Sequence, residues 1–466
     1  MFQPTLSERQ CIMKRIFPYI KRCFQLRKGL LLGAVFLSLL LPAEHVHAKE
    51  LEAKTSKSGS EITVTAGDGS SIGAVYIKWN KAVQPYTLRT DSETLSCGEN
   101  GFLHEFISLD EPTSILTFSL PAENPMGIYA IRIFSDHDVP DDVQIWQPPC
   151  ERADILLISA HSDDEILFMG GIAPTYVPEG ARVQVAYMTE FWTTTPVREH
   201  EKLDGLWADG IRFYPVCGNF KDQYADNLAA AEKVYDAEAV TSCIAEMIDR
   251  FEPQVLVTHD FQGEYGHGFH QLTAKAAENA LSLSKWQVPK VYFHLYPENK
   301  IHMDLNIPIA SMGGKTALEI AKEAYLQHVS QQWCWFYVSD TYKYSCADFG
   351  LYRTSVGPDN GNSMLEHIVL YAEQERIEQE QRIEQERLEA EQKKAAELEN
   401  IDRQLAAFQK EAQEKADAAK AELAALEQEL EKARRRTTLV FLGGGLFLLL
   451  CISILILLMV RRPKRH

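Results

Sequence analysis

Short alternations of apolar and polar residues run through the first part of the chain, at Glu61–Thr65, Ala74–Trp79, Ser114–Leu120 and Gly127–Phe134. Gly, Asp, Ser and Pro clusters separate them. Period-two segments with such punctuation predict a small all-β, sandwich-like domain over residues 49–150. From Ala153 the pattern changes. Apolar runs at Asp154–Ser159, Ala181–Tyr187, Ile211–Tyr214, Gln254–Thr258 and Lys290–Leu295 alternate with helical periodicity at Glu199–Ala208, Ala239–Phe251, Gln271–Leu283 and Lys315–Gln331. That alternation predicts an α/β domain over 151–368, a Rossmann-like, largely parallel sheet with helices on both faces. In such sheets active residues gather at the carboxyl ends of the strands.

A third pattern occupies residues 369–436, where Gly and Pro nearly vanish. Leu398, Leu405, Ala412, Ala419, Leu426 and Ala433 recur every seven residues, and Ile401, Phe408 and Leu430 take the companion position. This heptad seam predicts a coiled-coil stalk, most simply a dimer or trimer, and hence a homo-oligomer. A solvated helix without a partner is the alternative, since alanine at several seam positions buries little.

The two ends predict a location. Lys14, Arg15, Lys21, Arg22, Arg27 and Lys28 precede the apolar run Gly29–Leu41, and small residues follow up to Ala48. This is the layout of a secretory signal over residues 1–48, with Met13 a better-placed start; an uncleaved anchor is the alternative. Residues 437–460 carry no charge. Twenty-four helical residues extend about 36 Å, enough to cross a bilayer. The basic tail 461–466 then lies on the cytoplasmic side, and the body of a single-pass membrane protein lies on the exported side. A removable sorting signal is a second reading of the same segment.

Composition sharpens this picture. With 45% hydrophobic and 24% charged residues the chain is globular rather than disordered. The formal net charge of −18 argues against a nucleic-acid partner. Both ends are basic, so the exported body is more acidic than the total. Six cysteines fall in that body: Cys97, Cys150, Cys217, Cys243, Cys334 and Cys346. An oxidising compartment favours disulfides, and proximity favours Cys334–Cys346.

Chemistry concentrates after two strands. The first is followed by Ala160-His161-Ser162-Asp163-Asp164-Glu165. Imidazole and carboxylate suit a metal, although acidic residues at a helix start also serve its dipole. The second cluster follows Val255–Thr258 and holds His259, Asp260, Glu264, Tyr265, His267 and His270. Two such clusters at two strand ends of one sheet are hard to explain as fold support alone.

These residues resemble the PIG-L/LmbE-like zinc deacetylases over about residues 152–335. The usual Ala-His-Pro-Asp-Asp-Glu stands here with Ser162 for proline. The usual Tyr-Gly-His-Pro-Asp-His stands as Tyr265–His270, with Gly268 and Phe269 for Pro-Asp. Arg198 and Glu201 match the intervening Arg-x-x-Glu, and His328, Ser330 and Gln331 match a late His-x-Ser-Gln. The resemblance implies that His161, Asp164 and His270 hold Zn2+ and that Asp163 is the general base. It also implies that Tyr265 and His267 stabilise the oxyanion. Arg198 and Glu201 would bind substrate or form a pair supporting the site. The expected activity is removal of acetyl from a GlcNAc-containing glycan or glycoconjugate. Two alternatives stay open: a non-catalytic glycan- or protein-binding module, and a zinc amidase on another N-acylated sugar.

Overall fold

Nine strands build the first part of the chain. They are β1 (Glu50–Leu51), β2 (Ala53–Ser58), β3 (Glu61–Ala66), β4 (Ile72–Trp79), β5 (Tyr86–Arg89), β6 (Thr94–Cys97), β7 (His104–Thr113), β8 (Leu116–Ser119) and β9 (Ile128–Phe134). This is a computed structural model, and it describes residues 48–123, 126–190 and 196–460. The expected signal segment up to His47 and the basic tail lie outside those residues. The strands form two antiparallel sheets, ordered β1-β9-β4-β7 and β2-β3-β8-β5-β6. Alternation along β3 buries Ile62, Val64 and Ala66 and leaves Glu61 in solvent. Trp79 packs edge-on against Tyr86 and Phe118, with centroids 5.0 and 6.2 Å away. Its indole N–H donates to Glu105 at 3.0 Å, satisfying the polar end of a buried ring.

The α/β part runs β10 (Ile155–Ser159), α1 (Asp164–Leu167), α2 (Ile172–Tyr176), β11 (Val183–Glu190), α3 (Pro196–Ala208), β12 (Val216–Lys221), α4 (Leu228–Val234) and α5 (Ala237–Phe251). It continues through β13 (Val255–Thr258), α6 (Gly268–Leu283), β14 (Lys290–His294), β15 (Lys300–His302), α7 (Ala317–Tyr325) and β16 (Asp348–Thr354). Seven strands form one sheet, ordered β12-β11-β10-β13-β14-β16-β15. The first five are parallel, and β16 and β15 add antiparallel at one edge. β10 is buried along its whole length between β11 and β13. Chain order runs from β10 outward to β11 on one side and returns to β13 on the other. The loops leaving β10 and β13 therefore part around a crevice, the place where such sheets bind ligands.

Helix limits follow local chemistry. Asp236 caps α5 by accepting from the N–H groups of Glu238 and Ala239, and Thr316 and Glu319 close a capping box on α7. Four details depart from the sequence reading. α6 starts at Gly268, three residues earlier than its periodicity suggests, which makes His267 its cap. α7 stops at Tyr325, and a short 3-10 turn covers Val329–Gln331. The strand expected at Ile211–Tyr214 forms instead at Val216. Tyr214 is occupied with the β domain, stacked on Phe102 at 4.5 Å and accepting from the Leu103 N–H at 3.0 Å. Cys334 and Cys346, the expected disulfide, are both free thiols. Cys346 is sealed in the core, while the Cys334 sulfur lies 3.2 Å from the Tyr325 hydroxyl.

The chain divides into two units, one up to Glu373 and one from Gln374. The second is a single helix, the continuation of α8 (Tyr371–Val460). Its sides are exposed and carry ion pairs one turn apart, such as Lys415–Glu411 at 2.7 Å. It is long and apolar enough to cross a membrane, with a mean hydropathy of 2.8 over its most apolar window.

Candidate active site

The loop after β10 turns sharply. Asp163 sits at φ 123° and starts the one-turn helix α1, so His161, Asp163 and Asp164 all reach the crevice. The loop after β13 makes a tighter turn through Gly263 at φ 71°, Glu264 at φ 54° and Gly266 at φ 95°. A Cβ at Gly263 would stand 2.5 Å from the His267 carbonyl oxygen, so this turn excludes side chains there. α6 then presents His270 from its first turn.

The two loops meet in a triangle of donor atoms. His161 Nδ1 lies 2.9 Å from Asp164 Oδ2, His270 Nε2 lies 3.0 Å from the same oxygen, and the two nitrogens are 3.2 Å apart. A tetrahedral zinc with bonds of about 2.0–2.1 Å sets its ligands about 3.3 Å apart, so this trio has the spacing of a metal site. Two imidazole nitrogens and a carboxylate oxygen converging in a buried place are a donor set that suits a metal cation. Burial opposes a charged imidazole, yet Asp164 and Glu264 outweigh it and raise His270 to about 10. The same two imidazoles overcome burial and hold Asp164 well below the usual carboxylate range. Overlapping groups around His270 also include His267 and His259. His259 Nε2 is already taken, because it accepts from the Ala160 N–H at 2.9 Å.

Behind the triangle stands Glu264, which no periodicity reveals. It is buried and receives His270 Nδ1 at 2.6 Å, His294 Nδ1 at 3.0 Å, His259 Nδ1 at 3.2 Å and the Asp260 N–H at 3.0 Å. A carboxylate on the far nitrogen of a ligand histidine fixes its tautomer and orientation. The three histidines are 5, 6 and 30 residues away from it, so only the fold assembles the cluster.

Asp163 lies beside the triangle. Burial pushes its carboxyl well above the ordinary range, and Arg198, 3.3 Å away, opposes that. Arg198 also donates to the Ser162 carbonyl. A cavity of about 220 Å³ opens here, and His161, Asp163, Asp164, Arg198, Tyr265 and His267 all line it. His267 Nδ1 accepts from the Phe269 N–H, which leaves Nε2 as its free nitrogen. Burial, with His161 and His270 nearby, lowers His267 to about 2, so its ring is neutral. Glu201 does not line the cavity. Its carboxylate receives the Ser330 N–H at 2.8 Å and the Ser330 hydroxyl at 2.6 Å, tying α3 to the turn after α7. Gln331 of the late motif lines the cavity as well, and so do Asp222, Tyr224, Trp333 and Phe336, which the sequence pattern does not mark.

Residues 156–281 match the family described as PIG-L, GlcNAc-PI de-N-acetylase. This part of the chain belongs to the PIG-L/LmbE-like deacetylase family. The match starts on β10 and ends in α6, so it contains both PIG-L motifs. Among curated relatives, a 1D-myo-inositol 2-acetamido-2-deoxy-alpha-D-glucopyranoside deacetylase of Mycolicibacterium vanbaalenii is 30% identical over 188 residues, 35% of this chain and 65% of the relative. One from Rhodococcus jostii is 30% identical over 175 residues, 30% of this chain and 60% of the relative. The chain thus spans less than two thirds of their length. Among solved structures, the N,N'-diacetylchitobiose deacetylase of Pyrococcus horikoshii aligns with a TM-score of 0.31 at 16% identity, covering 38% of this chain and 71% of that one.

Proposed function

We propose that the chain is a zinc-dependent deacetylase of N-acetylated sugars, exported and tethered by its C-terminal helix, with a GlcNAc-containing glycan or glycoconjugate as substrate. The observation that carries this reading is the triangle of His161, Asp164 and His270 with Asp163 beside it. Two histidines and one carboxylate are a ligand set of hydrolytic zinc, which supplies Lewis acidity and lowers the pKa of water when bound. Asp163 faces the same cavity and takes the proton of the attacking water. Arg198 keeps that carboxylate aimed and favours its charged form against burial. The Tyr265 hydroxyl, which burial and the surrounding carboxylates keep protonated, donates to the oxygen that becomes negative as the amide carbonyl is attacked. Asp163 then returns the proton it took to the departing amine, while neutral His267, in the same cavity, donates its Nε2–H to the developing negative oxygen. Acetate and a free amino sugar result.

Export rests on the basic-apolar-small layout of residues 1–48, and tethering on the uncharged segment 437–460. The test uses the full-length chain in detergent. It should hold about one zinc and release acetate from N-acetylglucosamine oligomers. Asp163→Asn should keep the metal and lose the activity. Asparagine tolerates the positive φ at this position, so the variant should fold. Full activity in that variant sinks Asp163 as the base.

A further inference from the structure

Two large aromatic rings stand open to solvent at the mouth of this cavity. Trp333 is 82% exposed and Tyr224 is 74% exposed, and both line the same opening as Asp163 and His161. They come from separate segments, Tyr224 from the stretch between β12 and α4, Trp333 from the turn after α7. Large aromatics left bare beside a polar pocket mark a binding surface. Trp335, 59% exposed, extends it by packing at 4.0 Å on Phe336, itself a lining residue.

The position of Tyr224 follows from a departure in the second motif. Gly268 stands where the family usually has proline. Its N–H donates to the Ala225 carbonyl at 2.8 Å, a bond proline cannot make. A Cβ there would stand 2.2 Å from the Asn227 carbonyl oxygen. Glycine thus lets the stretch 222–227 sit directly on the start of α6. Tyr224 consequently meets His267 edge-on, with centroids 5.5 Å apart, and Asp222 comes within 3.6 Å of His161 Nε2.

We propose that Tyr224 and Trp333 form a stacking platform for the sugar ring next to the one deacetylated, so that the substrate is an uncharged oligosaccharide of N-acetyl sugars. This rests on the deacetylase reading. The space of about 220 Å³ falls below the roughly 300 Å³ at which pockets for drug-sized ligands begin. One pyranose and its acetamide fill it, and a second ring must lie at the mouth. A pyranose offers an apolar C–H face and a polar edge, which suits aromatic rings with polar tips. Arg198 is the single Lys or Arg of the lining and lies 3.3 Å from Asp163, so the mouth offers no cluster of cationic side chains to hold a polyanionic chain.

The test compares kcat/KM for acetate release from a β-1,4-linked N-acetylglucosamine tetramer and from the monosaccharide methyl glycoside. The full-length chain is held in a polyoxyethylene detergent, which carries no sugar. The wild type should prefer the tetramer. Trp333→Ala and Tyr224→Ala should each cut the tetramer-to-monosaccharide ratio by about tenfold, as expected for one lost aromatic contact. Trp333→Phe should retain most of it. Unchanged ratios, or equal losses on both substrates, overturn the platform. A second readout is independent of turnover: the tetramer should quench indole fluorescence saturably, and Trp333→Phe should remove that quench. Should the wild type release no acetate but show the Trp333-dependent quench, the deacetylase reading falls and the platform stands. A signal that follows detergent concentration and ignores the tetramer overturns the platform in favour of a lipid-facing surface.

Discussion

Nε2 of His104 in the β domain lies 2.8 Å from Nδ1 of His200 on α3, the helix that carries Arg198. Both rings are buried, and the contact belongs to a polar grip. His104 Nδ1 meets Gln144 at 2.7 Å and the Tyr76 hydroxyl at 3.2 Å. Gln144 and Lys78 both reach Asp204 on α3, at 2.6 and 2.7 Å. Tyr129 stacks on His200 at 4.4 Å from the outer side. The β domain thus holds the helix that aims Arg198 at Asp163.

This grip makes stability depend on pH. Burial, and next the Lys78 ammonium, push both imidazoles down, His200 to about 4, while Glu199 opposes the shift at His200. Asp204 and the Tyr76 hydroxyl complete the groups around them. A folded-state value below the unfolded 6.5 means that unfolding takes up protons. The contribution is complete above about pH 6.5 and is lost as pH falls towards 4. For His200 alone, this costs on the order of 2 kcal/mol between pH 7 and 5. Thermal unfolding at both pH values should show a smaller drop in His200→Gln than in the wild type. Equal drops would show that this pair does not titrate on unfolding.

Glu264 should control metal retention without touching the metal. It holds the far nitrogen of His270 at 2.6 Å. Glu264→Gln keeps the shape and tolerates much the same backbone, but weakens the three imidazole contacts. Metal affinity should fall roughly 10–100-fold, measured by competition with a chelator. An unchanged affinity would reduce Glu264 to a packing residue.

Arg198 should act on turnover more than on binding. Its guanidinium lies 3.3 Å from Asp163 and is bonded to the Ser162 carbonyl, so it fixes the loop that holds the base. Arg198→Met should lower kcat by roughly 100-fold, the scale of a displaced general base, with metal content unchanged. A raised KM at unchanged kcat would make Arg198 a substrate anchor instead.

Some of the strands and both clusters were legible because their signals are local. The buried run Ile155–Ser159 and the alternation at Glu61–Ala66 announce their strands, and strand ends locate ligands without any contact map. Glu264 stood inside the second cluster, but its role depends on His294, 30 residues later on β14. Its positive φ is a property of the folded turn, not of the residue type. Glu201 read equally as substrate binder or support. Its partner Ser330 is 129 residues away, and only α3 packed beside that turn brings them together. Tyr224 and Trp333 had no pattern at all, since an exposed aromatic in an irregular segment carries no periodicity. The edge strand β15 is short and its neighbour β16 follows an irregular stretch, which hides their pairing.

The helix from Gln374 onward should associate with copies of itself. Along its seam Leu398, Ile401, Leu405, Phe408, Leu426 and Leu430 are between 52% and 72% exposed. Each leucine buried against a partner gains about 1.5–3 kcal/mol, so several such positions outweigh the alanines between them. The flanking pairs Lys415–Glu411 and Arg403–Glu399 stabilise the single helix and leave the seam bare. Crosslinking of the full-length chain in detergent should give dimers or trimers. Leu405→Asp combined with Leu426→Asp should return it to the monomer and leave acetate release intact, because neither residue lies in the catalytic unit. Crosslinks that persist in the double variant would move the contact to the apolar segment 437–460, and a monomeric wild type would show that this helix stands alone.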